Sequence, residues 1–214
     1  MNLKKIRNIE VKQMKFIFIR HAKDDENYRG GWSSQDILPE GKKQAEKLAK
    51  HLKEHQEDLK IKKFVTSDLQ RAITTTNIAN AFLGLPIELE PELREMNNGD
   101  LAGILNEEAL VKYPGLFFKT LGMDEKYPNG ESPIDFYNRI KDWFYKAVDF
   151  YKKSDSNVAF VTHSGVINII YYIVKGLEWS NKETPFKIGN CSIHILDVSK
   201  MEFEVENYIA YLES

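Results

Sequence analysis

The 214-residue chain predicts an α/β fold on a parallel or mostly parallel sheet, and two observations carry that expectation. Three apolar runs, at residues 16–19 (FIFI), 64–65 with their flanks, and 158–161 (VAFV), lack the polar alternation of a half-exposed strand. Runs of that kind suit strands covered on both faces. The segments between them carry apolar residues at helical spacing, so the order along the chain alternates strand, helix and strand.

Taken in order, the first strand stops abruptly on Arg20, His21, Ala22, Lys23 and Asp24. The first helix, Pro39–Glu54, places proline at its first helical position and turns Ala45, Leu48 and Leu52 to one face. A second helical pattern over 71–82 presents Ala72, Ile78, Ala79 and Phe82. Residues 104–133 hold Pro114, Gly115, Gly122, Pro128 and Gly130 among mixed charges, the composition of a short helix and loop, and form a candidate cap. Over 134–151 the residues Phe136, Ile140, Trp143, Phe144, Ala147 and Phe150 make an aromatic stripe that reads as core. The apolar stretch from Gly165 falls short of the roughly 18 residues a membrane span needs and carries Asn168, so it reads as a core helix. Residues 191–211 read as one or two strands, with Cys191 a core residue of a strand over 191–198. The expected organisation is an N-terminal arm or extension over 1–13, then a single domain over 14–214.

Composition narrows the partners. Thirty Lys and Arg against 32 Asp and Glu give a formal charge of −2, which offers no positive field for nucleic acid or an anionic membrane. A single cysteine excludes an intrachain disulfide and fits a reducing cytoplasm. The N-terminus lacks the apolar segment of a secretory signal. A cytoplasmic protein is expected, with a small phosphorylated metabolite as partner, no nucleic acid, no membrane, and a homodimer left open.

The phosphate expectation comes from three junctions. In open α/β sheets ligands bind beyond the carboxyl ends of the strands. There the chain places Arg20-His21, then Ser67 to Arg71, then Thr162-His163-Ser164-Gly165. Two arginines offer planar forks of donors matched to phosphoryl oxygens, and a helix starting at Ser164 adds backbone N–H groups. One histidine serves as nucleophile through a neutral ring nitrogen, kept neutral by the arginines, while the other, when protonated, donates to the phosphoryl group. Glu95, in a loop with Gly99 and Gly103, is positioned to protonate a leaving oxygen, with its own protonation responsive to bound phosphate.

These residues resemble the histidine phosphatase, or phosphoglycerate-mutase-like, superfamily. Arg20-His21-Ala22 is similar to its RHG signature, and Ile37 to Gly41 with Gln44-Ala45 to its LTxxGxxQA helix start, with Leu38 replacing Thr. Ser67 to Ala72, closed by Thr75, resembles SxLxRAxxT, and Glu92 to Gly103 resembles ELxExxxGxxxG. Val161 to Gly165 is similar to V[ST]HxG, and Asn190 to Ile193 to the late N-x-S-[IV] strand. The resemblance implies a three-layer αβα fold, its mostly parallel central sheet covered by helices on both faces, with a small cap insertion. It also implies His21 as phosphoryl acceptor, Arg20, Arg71 and His163 as the phosphate pocket, Glu95 as proton donor, and Asn27 as a further phosphate ligand beside Ser164. No cofactor and no metal are implied.

Asp24 departs from the family pattern, standing where a Thr or Ser commonly donates to phosphate. The span from Ile104 to Thr162 is short and holds Pro128-Asn129-Gly130-Glu131-Ser132, similar to the PGGES stretch of short phosphatases in the family. This favours a phosphatase with a phosphohistidine intermediate over a mutase or a non-catalytic phosphate-binding relative. His51 and His55 lie on a solvated helix face, His194 reads as structural, and Tyr28, Arg29, Trp32, Tyr113, Phe117 and Phe118 are candidates to surround substrate.

Overall fold

The computed structural model describes residues 14–152, 154 and 156–213, so the expected arm over 1–13 lies outside the described residues. Six strands form one sheet in the order β3-β2-β4-β1-β5-β6: β1 (Lys15–Arg20), β2 (Ile61–Thr66), β3 (Ile87–Leu89), β4 (Asn157–Thr162), β5 (Ile193–Asp197) and β6 (Glu202–Tyr208). β1, β4, β2 and β3 run parallel, whereas β5 and β6 complete the sheet antiparallel.

The apolar runs follow from burial on both faces. Phe16, Phe18, Val158 and Phe160 pack on one face against Phe136, Ile140 and Phe144 of α5 (Pro133–Tyr151) and Val166, Ile167 and Ile170 of α6 (Ser164–Lys175). Ile17, Ile19, Phe64, Ala159 and Val161 pack on the other against Ala45, Leu48 and Leu52 of α1 (Pro39–Glu54) and Ala72 and Ala79 of α3 (Gln70–Ala79). Successive side chains of a strand point to opposite faces, so a strand with helices on both sides must be apolar throughout. Each fully buried Phe, Ile or Leu contributes about 1.5–3 kcal/mol, which fixes these strands and everything attached to their ends.

Local signals set the helix limits. α1 starts on Pro39, α5 is entered through a capping box between Ser132 and Asp135, and α6 ends on Gly176 in the left-handed conformation. Two short helices complete the set, α2 (Gln56–Leu59) and, inside the candidate cap, α4 (Asn106–Lys112).

Two expectations are corrected. Phe82 and Phe150 are exposed at 53% and 75%, because α3 ends at Ala79 and the core-facing stripe of α5 continues from Ala147 to Tyr151, which packs on Phe16 and Phe160, and not to Phe150. Cys191 is fully buried but precedes β5, in a turn with φ 54°; its N–H bonds back to the Arg20 carbonyl at 3.1 Å. The C-terminal region forms two strands, of which β6 shows the strict exposed and half-buried alternation of an edge. No helix among the described residues is long and apolar enough to cross a membrane.

Candidate active site

Parallel pairing brings the three junctions together. Arg20 pairs with Thr162 and Thr66 with Val161, so the chain leaves β1, β2 and β4 at one level of the sheet. Backbone bonds carry the alignment one residue further: His21 N–H donates to the Thr162 carbonyl (2.9 Å) and Ser67 N–H to the Val161 carbonyl (3.0 Å). From the other side, Asn190 Nδ2 donates to the His21 carbonyl at 3.3 Å, which gives the late Asn190-Cys191-Ser192 segment a physical task.

His21 is buried, and its Nδ1 lies 2.8 Å from the Ala22 carbonyl. A carbonyl only accepts, so Nδ1 carries the proton and Nε2 of the neutral ring holds a free lone pair. Burial first, then the charges of Arg71 and Arg20, hold the His21 pKa well below the ordinary histidine range, against the opposing pull of the Ala22 carbonyl. The arginines were expected to keep this ring neutral; burial is the larger cause.

The His163 ring centroid lies 5.0 Å from that of His21. Its Nε2 is 2.9 Å from Ser67 Oγ, while Nδ1 is buried without a partner. Burial, followed by Arg71, His21, Arg20 and Arg139, pushes the His163 pKa down as well. Sequence lets the second histidine donate to phosphoryl oxygens when protonated, and the pocket as it stands favours the neutral His163 ring. A phosphoryl dianion between the rings would favour the cation.

Arg71, 2% exposed, donates to the Gly31 carbonyl at 2.7 Å and to Ser33 Oγ at 3.4 Å. Gly31 holds φ 56°, and a side chain there would collide with Asn98, so glycine is required for this carbonyl to face the guanidinium. Arg20 donates through Nη1 to the Ile188 carbonyl (2.9 Å). Asp24 turns its carboxylate toward the pocket: Oδ2 lies 3.5 Å from Arg71 Nε.

Glu95 is fixed at both oxygens. Oε1 accepts from Met96 N–H (3.1 Å) and Oε2 from Gly165 N–H (3.0 Å), the first turn of α6. The carboxylate thus takes a donor that the sequence reading assigned to phosphate, and Ser164 lines the cavity beside it. Asn27 is not brought into this cluster; it is exposed, with its amide on Asp25 Oδ1 at 2.9 Å.

Among the described residues, six buried side-chain polar atoms lack a hydrogen-bond partner, and four are nitrogens of Arg20, Arg29, Arg71 and His163. Buried polar atoms are nearly always paired, so Arg20 Nε and His163 Nδ1, together with Arg71 Nε whose one partner is Asp24 Oδ2 at 3.5 Å, mark a place beside His21 built for an acceptor. Beside them opens a cavity of about 460 Å³, lined by Arg29, Glu95, Met96, Phe118, Tyr127 and Phe186 among others. A larger groove of about 720 Å³ between β3 and α5 contains neither histidine.

The sequence model of the histidine phosphatase superfamily, branch 1, matches residues 16–210. The chain belongs to the histidine phosphatase superfamily. Among its relatives, phosphoserine phosphatase 1 of Hydrogenobacter thermophilus is 28% identical over 193 residues, spanning 87% of this chain and 88% of that protein. A 2,3-bisphosphoglycerate-dependent phosphoglycerate mutase of Cytophaga hutchinsonii is 28% identical over 161 residues, spanning 72% and 74%. The solved mycobacterial glucosyl-3-phosphoglycerate phosphatase has the same fold, with a TM-score of 0.72 at 23% identity over 92% of this chain and all of that one. As a histidine phosphatase, the chain is an enzyme of the phosphoric monoester hydrolase class.

Several supports of this histidine phosphatase site escaped the sequence reading. Arg139 of α5 donates to the carbonyls of Glu92 (2.6 Å), Arg94 (3.1 Å) and Glu95 (3.2 Å) while ion-paired to Glu131, and so clamps the acid loop. Thr162 Oγ1 donates to the Leu93 carbonyl at 2.7 Å and Trp32 Nε1 to the Glu95 carbonyl at 2.7 Å. Asp68 holds Arg94, whose guanidinium stacks over Trp32. The available signal was the acid loop itself, whose carbonyls need donors if the loop is buried. Arg139, one residue off the apolar stripe of α5, is such a donor.

Proposed function

We propose that this chain is a metal-independent phosphatase that hydrolyses small phosphate monoesters through a phosphohistidine at His21. The observation that carries the proposal is the pair of buried nitrogens without a partner, Arg20 Nε and His163 Nδ1, with Arg71 Nε beside them and held only by Asp24, next to a histidine whose Nε2 lone pair is free. The phosphoryl oxygens take the place of the missing acceptors. His21 Nε2 forms a bond to phosphorus as the ester P–O bond breaks, and Glu95 gives its proton to the departing oxygen. Water then attacks the phosphohistidine, Glu95 takes its proton, phosphate departs and Nε2 regains its lone pair. Asn27 enters as a phosphate ligand only by leaving Asp25. The one cysteine, buried and free, fits a cytoplasmic setting.

A mutase, returning the phosphoryl group to another hydroxyl, is the second reading, favoured by the similarity to the phosphoglycerate mutase. One experiment separates the two: phosphate release from a panel of phosphorylated metabolites with EDTA present, wild type beside His21→Ala. Release that survives EDTA and disappears with His21 is expected. Isomerisation of 3-phosphoglycerate without phosphate release, or loss of activity in EDTA, would overturn the proposal.

A further inference from the structure

Arg29 is an unspent cation in the leaving-group cavity. It lines that cavity, its Nε is buried without a hydrogen-bond partner, and no carboxylate among the described residues pairs with it. Its place is built. The backbone N–H of Arg29 donates to the Ile104 carbonyl at 2.8 Å, its carbonyl accepts from Gly103 N–H at 2.7 Å, and the guanidinium packs on the Phe117 ring at 4.5 Å. Among the residues lining the cavity, Arg29 is the one cation and Glu95 the one anion, and Glu95 already accepts two backbone N–H bonds. The remaining wall mixes apolar side chains, Met96, Phe118, Tyr127, Phe136, Phe186 and Ile188, with the neutral polar groups of Asn98, Ser164, Asn168 and Thr184.

A guanidinium whose Nε is buried without an acceptor at the edge of a cavity is costly unless an anion meets it. The phosphoryl group is not that anion, because Arg20, Arg71 and His163 already supply its pocket. We infer that Arg29 binds a carboxylate on the alcohol portion of the substrate, so that the enzyme selects phosphate monoesters whose leaving group is a small hydroxy acid or hydroxy amino acid. The inference rests on the phosphatase proposal and deepens it. Planar guanidinium and carboxylate pair through two parallel bonds, which would also orient the ester oxygen toward Glu95.

Matched substrate pairs that differ only in the carboxylate provide the test: O-phosphoserine with O-phosphoethanolamine, and 3-phosphoglycerate with glycerol 3-phosphate, alongside para-nitrophenyl phosphate. Wild type is expected to prefer the carboxylated member of at least one pair by about 10- to 100-fold in kcat/KM, the range of a charge-assisted bond. Arg29→Met, which keeps the packing on Phe117, should bring that ratio close to one, chiefly through KM of the carboxylated member. Arg29→Lys should retain part of it. Because each ratio is taken within one enzyme preparation, a loss of folded protein does not imitate the effect. Equal rates within both pairs, or an Arg29→Met ratio equal to that of wild type, would overturn the inference. Turnover of para-nitrophenyl phosphate under those same conditions would leave the phosphatase proposal standing. Release of phosphate from none of the five compounds would overturn the phosphatase proposal, and the inference with it.

Discussion

Replacing Gly165 by alanine tests whether Glu95 acts as the proton donor from the position it holds. A Cβ at residue 165 would stand 3.0 Å from Glu95 Cδ and 3.1 Å from Phe136 Cε1, and closer still to Glu95 Oε1. The carboxyl group must therefore retreat, and the Gly165 N–H bond that aims it stretches or breaks. A positioned general acid contributes about 10²–10⁴-fold, and a displacement of about 1 Å costs on the order of 100-fold. Gly165→Ala should thus lower kcat about 100-fold for an alkyl phosphate, whose alkoxide cannot leave unprotonated. For para-nitrophenyl phosphate, whose phenolate leaves without help, the fall should stay below about 10-fold. Overpacking costs about 1–3 kcal/mol, while alanine gains up to about 1 kcal/mol over glycine within a helix, so the variant should fold with a slightly lower Tm. Glu95→Gln should reproduce the same dependence on leaving group. Equal losses for the two substrates, or none for either, would refute the assignment of Glu95.

Two further predictions concern charge. Asp24→Thr removes a carboxylate 3.5 Å from Arg71 Nε; two unit charges at about 4 Å interact by about 4 kcal/mol at an effective dielectric of 20, and after screening inhibition by inorganic phosphate should tighten about 10-fold. Weaker inhibition would mean that Asp24 orients Arg71 more than it competes with phosphate. His21 and His163 are held well below the ordinary histidine range and His194 at about 4, all mainly by burial. The unfolded chain binds these protons near pH 6.5 and the folded one only at lower pH. Stability is therefore complete above about 6.5 and declines as the pH falls toward the folded values, by up to about 1.4 kcal/mol per pH unit for each ring. Denaturant unfolding followed between pH 7.5 and 5 checks this, with a shallower decline expected in His21→Asn.

The central strands and the junctions that form the candidate site are legible because one physical cause produces both. Burial on two faces makes residues 16–19 and 158–161 continuously apolar, and the abrupt change to Arg20-His21 and Thr162-His163 marks where the sheet ends. The first helix was readable from Pro39 and its apolar stripe, and emerges with the expected limits. β3 was not legible: three exposed residues on an edge, Ile87, Glu88 and Leu89, carry neither a continuous run nor a periodic pattern long enough to read. Phe150 and Tyr151 both continue the spacing from Ala147, at i+3 and i+4, and only the fold decides that Tyr151 meets Phe16 and Phe160 while Phe150 faces solvent. The Arg139 clamp and the Ser67–His163 bond depend on side chains meeting across 44 and 96 residues of sequence separation, which local pattern does not encode. Asp24 departs from the family pattern in sequence alone, whereas its approach to Arg71 depends on the fold.

The most direct test of the account is to trap the phosphoryl group. Wild type mixed with a ³²P-labelled monoester, quenched in alkali within milliseconds and digested, should carry label that is stable to alkali and labile to acid on the peptide containing His21. His21→Ala should carry none. Label on another residue, or turnover at the wild-type rate by His21→Ala, would contradict the account.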